Sequence, residues 1–185
     1  AAMIADRESP VPAYQLGLFY VETGDPQRAD EMFARALDRD PTYDAAHCAR
    51  GDLAMMQGDS DAAAEWYRAA LAANSYSVPA LMNLGIMSAR RGEFPAAEKR
   101  FREAYAIDPR DPQVRQNLAR IELHYGRAQK AAEMYDEILK DFPDHVPSML
   151  SLGWLCASSP DDAVRNAERA NELAQRAIEL TGRQS

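Results

Sequence analysis

The chain has 185 residues, of which 46% are hydrophobic and 27% charged, with a formal net charge of −8. That is the make-up of a soluble folded protein, sized for one domain or a short run of stacked units. The acidic balance argues against general binding to a nucleic-acid backbone, which needs a basic face, and no apolar run approaches the ~18 residues that a membrane-inserting helix needs.

The charge is uneven. Residues 1–77 carry 6 basic and 13 acidic side chains, residues 78–145 carry 11 of each, and residues 146–185 carry 4 basic and 5 acidic. Alanine is plentiful and β-branched residues are few, which favours helix over sheet.

In chain order, residues 1–9 read as a tag or linker, or as the tail of a preceding helix. From Pro10 a unit begins with Leu16-Gly17, Tyr20, Gly24, Ala29, Phe33, Ala36 and Pro41. The next, from Asp44, has Gly51, Gly58, Ala63, Tyr67 and Ala70, with Ser75 where a proline is expected. The third, from Val78, repeats Leu84-Gly85, Gly92, Ala97, Phe101, Ala104 and Pro109. The fourth, from Pro112, has Leu118-Ala119, Gly126, Ala131, Tyr135, Ile138 and Pro143. Each start lies 34 residues after the one before.

The residue types explain themselves. A small residue after Leu lets a second helix approach. The mid-unit glycine ends the first helix with positive φ. Pro26 and Pro95 suit a first helical turn, where no backbone donor is lost. The late proline stops the second helix. Apolar residues at three- and four-residue spacings between these signals predict amphipathic helices.

The fifth unit, from Val146, opens with Leu152-Gly153 and then departs: Pro160 stands where the others place Gly, and the small-residue pattern arrives at Ala170, Ala174 and Ala177, 5 residues late. The inter-helix loop is longer there, or the second helix gains a turn at its start. A helix over Ala163–Leu180 serves as a cap, or the last stacking face is uncovered and favours a homodimer.

A 34-residue period with these residues resembles the tetratricopeptide repeat family over residues 10–182. The resemblance implies an all-α, right-handed superhelical solenoid of about five helix-turn-helix repeats (10–43, 44–77, 78–111, 112–145 and 146–182), with a concave face lined by the first helix of each repeat. It implies a non-catalytic scaffold that binds a peptide segment or partner helix. The alternative is a regulatory or anchoring segment of a larger bacterial enzyme or of a secretion or membrane protein. The expected compartment is cytoplasmic; a periplasmic or membrane-protein-attached location is the alternative.

Carried over position by position, the family's groove contacts fall on Tyr14 and Leu18 in the first repeat and on Asp52 and Met55 in the second, with Cys48 also on that face. They continue with Met82, Asn83, Ile86 and Arg90 in the third, Gln116, Asn117, Arg120 and His124 in the fourth, and Trp154 in the fifth. Met82 and Leu150 fit the core as well as the groove. Methionines suit a surface that accepts varied side chains, asparagine amides can bond a peptide backbone, and arginines can pair with carboxylates. The chaperone-tail clamp of this family is not expected, because Tyr14, Leu18 and Ala49 replace its Lys and Asn residues.

No HExxH, GxSxG or phosphate-loop motif accompanies the histidines His47, His124 and His145. Adjacent His47 and Cys48 point about 100° apart on a helix and make no dyad. His145 at a repeat junction reads as solvated, and the acidic turn of Asp141 and Asp144 beside it as an ordinary junction. Neither CxxC spacing nor a calcium-loop pattern occurs, so no cofactor or metal is expected.

Overall fold

The computed structural model describes residues 9–182; the tag, linker or helix-tail reading of residues 1–8 lies outside them. Ten α-helices and no strand occur among the described residues: α1 Val11–Glu22, α2 Pro26–Arg39, α3 Asp44–Met56, α4 Ser60–Ala73, α5 Val78–Arg90, α6 Phe94–Ile107, α7 Pro112–His124, α8 Ala128–Asp141, α9 Val146–Ser158 and α10 Ala167–Gly182. The chain divides into two compact units between Arg100 and Phe101, within α6.

Helix ends follow local chemistry. Asp25, Asp59 and Asp111 each accept backbone N–H bonds from the first turn of the helix they precede, at 2.7–3.1 Å, which satisfies donors a helix leaves orphaned. Pro26 opens α2 and Pro112 opens α7. Gly24, Gly58, Gly92 and Gly126 all have φ between 74° and 82°, a region costly for other L-residues. Prolines 41, 109 and 143 follow the last residues of α2, α6 and α8 by two positions.

In the first unit, α1 packs on α2 and α3 on α4, while α2 meets α3 and α4 meets α5. Phe33 and Tyr67 are fully buried. Each lies over a glycine of the preceding helix: a Cβ on Gly17 would stand 2.4 Å from the Phe33 ring, and one on Gly51 2.5 Å from Tyr67. The missing side chains are what let these rings seat. Arg50 of α3 forks onto Asp30 of α2 at 2.7 and 3.0 Å and stacks its guanidinium 3.9 Å from the Trp66 ring centre.

In the second unit, α7 packs on α8, α8 on α9, and α9 on α10. Tyr135, Ile138, Leu152, Leu155 and Cys156 form its core with Val164. Buried Arg115 reaches Asp141 at 2.6 Å and Glu137 at 3.6 Å. Buried Glu122 pairs with Arg127 and with Lys130, the latter at 3.0 Å. Burial alone would raise the Glu122 pKa, but the bonds from Arg127 and Lys130 outweigh it and hold the carboxyl below its ordinary value.

The fifth hairpin resolves where its extra residues go. Its loop is the longer element, residues 159–166, and α10 starts at Ala167 rather than at Ala163. Pro160 and the Asp161 turn keep residues 160–166 out of helix; Val164 tucks into the core and the Asn166 N–H bonds the Cys156 carbonyl at 2.8 Å. The Asn166 side chain then caps α10 through the Arg169 N–H. Arg169–Asp136 and Arg176–Asp144 tie α10 to α8 and to the turn that follows it.

Candidate functional site

Each unit has its own candidate surface, the exposed side of its first helices. In the first unit these helices are α1, α3 and α5. Asp52 is exposed, yet its Oδ1 is drawn inward, accepting the Tyr67 hydroxyl at 2.7 Å and the Asn83 amide at 3.1 Å. The network joins three successive helices. Burial raises the Asp52 pKa, against which the bonds from Tyr67 and Asn83 act; the Tyr67 hydroxyl is pushed up by burial and by the carboxylate it donates to. Ile86 is half-buried on α5, three residues after Asn83, and Arg90 is exposed at the end of the same helix.

Several expected lining residues face inward. Met82 is only 7% exposed, and Cys48 only 5%. The fifth residues of α3 and α5 are thus packed in the core: for Met82 this is one of the two readings left open, and for Cys48 the placement on the groove face is corrected. Burial pushes the Cys48 thiol up to about 11, the reverse of an activated nucleophile. Tyr14 packs its ring against Phe33 and edge-on against Tyr43, with centroids 5.7 and 5.3 Å apart. Leu18 and Met55 are half-buried against core clusters. These three offer side-chain edges rather than open surface.

In the second unit the surface belongs to α7 and α9. Arg120 and His124 are exposed; Gln116 and Asn117 are partly so. Asn117 donates to the Gln113 carbonyl at 2.9 Å and accepts a long 3.5 Å bond from Arg120. His124 lies against the Tyr125 ring. On α9, one turn apart, Leu150 and Trp154 stand 55% and 65% exposed. The open choice for Leu150 thus falls to the surface. An exposed Trp beside an exposed Leu is the kind of apolar anchor that partner segments use.

His145 is a correction. Its Nδ1 lies 2.8 Å from the Ser148 hydroxyl at the start of α9, and burial lowers its pKa despite Asp111 nearby. It is a helix-start residue rather than a solvated one. The neighbouring carboxylates are already paired, Asp141 with Arg115 and Asp144 with Arg176.

A pairing within the repeats escaped the reading of single positions. The ninth residue of each repeat runs Leu18, Asp52, Ile86, Arg120, and the core aromatic fifteen residues later runs Phe33, Tyr67, Phe101, Tyr135. A hydroxyl occurs in the core only where the surface position carries charge. The sequence holds that signal, but only as a covarying pair. The Arg50–Trp66–Asp30 clamp left no such trace.

The chain belongs to the tetratricopeptide repeat family: two models of that repeat match residues 14–78 and 88–153. Its fold class is the all-α helical-repeat solenoid. Among sequence relatives, the type IV pilus assembly protein PilF of Pseudomonas aeruginosa is 29% identical over 137 residues, covering 72% of this chain and 54% of PilF. This chain therefore spans about half the length of that relative. A solved P. aeruginosa PilF structure superposes with a TM-score of 0.75 at 24% identity, covering 97% of this chain and 78% of the other. YrrB, described as a tetratricopeptide protein with an unusual peptide-binding site, gives a TM-score of 0.62 at 18% identity over 97% of this chain and 90% of its own. Among the described residues, no helix is long and apolar enough to cross a membrane.

Proposed function

We propose that the protein is a non-catalytic interaction scaffold whose first-helix faces hold an extended segment or helix of a partner protein. The observation that carries this reading is the exposed Leu150–Trp154 pair, set on the face of α9 that corresponds to Asn117 and Arg120 on α7. Solenoids built of stacked hairpins commonly bind along such faces, and large exposed apolar side chains on one first helix with an amide and a guanidinium at matching positions of another meet the needs of a polypeptide ligand. YrrB's described peptide-binding site supports the same use of the fold. The likeness to PilF favours one setting for it, an accessory role in assembling a surface or secretion structure.

Site-specific photocrosslinking tests the proposal. A photoreactive residue replacing Ile86 or Leu150 is expected to capture partner protein from cells of the source organism, and one replacing Glu65 on α4 or Glu133 on α8 is not. Equal capture from both sets, or capture from the second helices alone, overturns it.

A further inference from the structure

Two repeats carry the same three-residue arrangement with one member reversed in charge. In the first unit it is Asp52, Tyr67 and Asn83; one repeat pair later it is Arg120, Tyr135 and Ser151. The first arrangement is closed, since the Asp52 carboxylate takes both the phenol proton and an Asn83 amide proton. The second is open. Arg120 has only donors. Ser151 donates its own proton to the Pro147 carbonyl at 2.9 Å, and its oxygen, though close enough to act on the Tyr135 hydroxyl, makes no well-aligned hydrogen bond with it. The Tyr135 hydroxyl, fully buried, is left without a hydrogen-bond partner, although such groups nearly always have one. Arg120 lies at the surface, and its bond to Asn117 is a long 3.5 Å, so its guanidinium can turn towards a newcomer.

We infer that Arg120 and Tyr135 form a carboxylate-binding subsite, in which an acidic group of a bound polypeptide takes the place that the Asp52 carboxylate holds in the first unit. One oxygen accepts the Tyr135 proton, as Asp52 Oδ1 accepts that of Tyr67, and the guanidinium pairs with the other. The Asn117 amide side chain bonds Arg120 on α7, and exposed Trp154 holds the repeat position on α9 that Arg120 holds on α7. This inference rests on the first-helix face being the binding face; the charge reversal and the orphaned hydroxyl are what add the carboxylate. The source of that group is either an Asp or Glu side chain or a chain end, and the chemistry is the same for both.

The internal analogy supplies a test that needs no ligand. In the full chain, Arg120→Asp should be more stable than Arg120→Asn, because the new carboxylate accepts the Tyr135 proton. Adding Tyr135→Phe should erase that advantage. An Arg120→Asp advantage that survives Tyr135→Phe, or none at all, overturns the inference.

The second arm uses short Leu/Ala peptides, read by the indole N–H resonance of Trp154. One carries a single Glu and an amidated end, one a Gln and a free carboxylate end, and one a Gln and an amidated end. At least one carboxylate-bearing peptide should bind about tenfold or more tightly than the third, the scale of a charge-assisted bond. Arg120→Gln should remove the preference, and Tyr135→Phe should reduce it severalfold. The favoured peptide identifies the source. If all three shift Trp154 equally, the subsite is wrong while the binding face stands. If none does, the subsite is wrong and crosslinking decides the face separately.

Discussion

Tyr67 and Tyr135 occupy equivalent core positions, yet their hydroxyls do different things. The first donates to a carboxylate at 2.7 Å and the second has no partner. Tyr67→Phe should therefore cost about 1.5 kcal/mol, the scale of a bond to a charged group, whereas Tyr135→Phe should be neutral or slightly stabilising. Urea unfolding of the two variants checks this, and equal losses would contradict the assigned networks. Glu122 and His145 give the residue scale a pH dependence. Glu122 is held below its ordinary 4.5, so its contribution is complete above that value and is lost as pH falls through the folded-state pKa. His145 is depressed below 6.5, so the neutral ring favours the fold and acidification through that range removes its share first. Glu122→Gln should lower stability near neutral pH by on the order of 1–2 kcal/mol, since Arg127 and Lys130 keep part of their solvation. The gap from wild type should close at low pH in denaturation measured across a pH series. Legibility at this scale was partial. Asp52, Asn83, Arg120 and Trp154 could be placed on the surface from helical position. Met82 and Cys48 could not be placed in the core, because their position faces outward or between hairpins according to how closely neighbouring hairpins pack.

At the scale of the helical hairpin, glycine and loop length decide the geometry. Gly51 sits under the Tyr67 ring, and an added Cβ would meet it at 2.5 Å. Gly153 holds the matching place in the fifth hairpin, but the nearest atoms there, the Ala170 carbonyl oxygen and Leu173 Cβ, are 3.6 Å away. The late start of α10 leaves no aromatic ring over Gly153. Gly51→Ala should cost about 1–3 kcal/mol through overpacking, and Gly153→Ala should stabilise by up to ~1 kcal/mol through helix propensity. Thermal unfolding of both variants reads the opposite signs; a loss of similar size at Gly153 would contradict the loosened packing. The hairpins themselves were legible because turn glycines, capping aspartates and stop prolines are local signals. The fifth unit left two alternatives, since the five-residue delay is visible in sequence but its allocation to loop or helix depends on where Val164 and Asn166 find partners.

For the whole molecule, the family and the helical-repeat class follow from periodicity, which the chain repeats often enough to read directly. A binding role is less direct, because each repeat uses the same positions for stacking and for ligand. Arrays of this type unfold from local elements whose stabilities add with nearest-neighbour terms, so occupation of the first-helix faces should register helix by helix. Amide hydrogen exchange of the intact chain, free and saturated with a partner captured by crosslinking, is the most direct measurement. Added protection should concentrate on α3, α5, α7 and α9, with α4 and α8 little changed. Protection gained chiefly on α4 and α8, with the first helices unaltered, would contradict the proposed binding face.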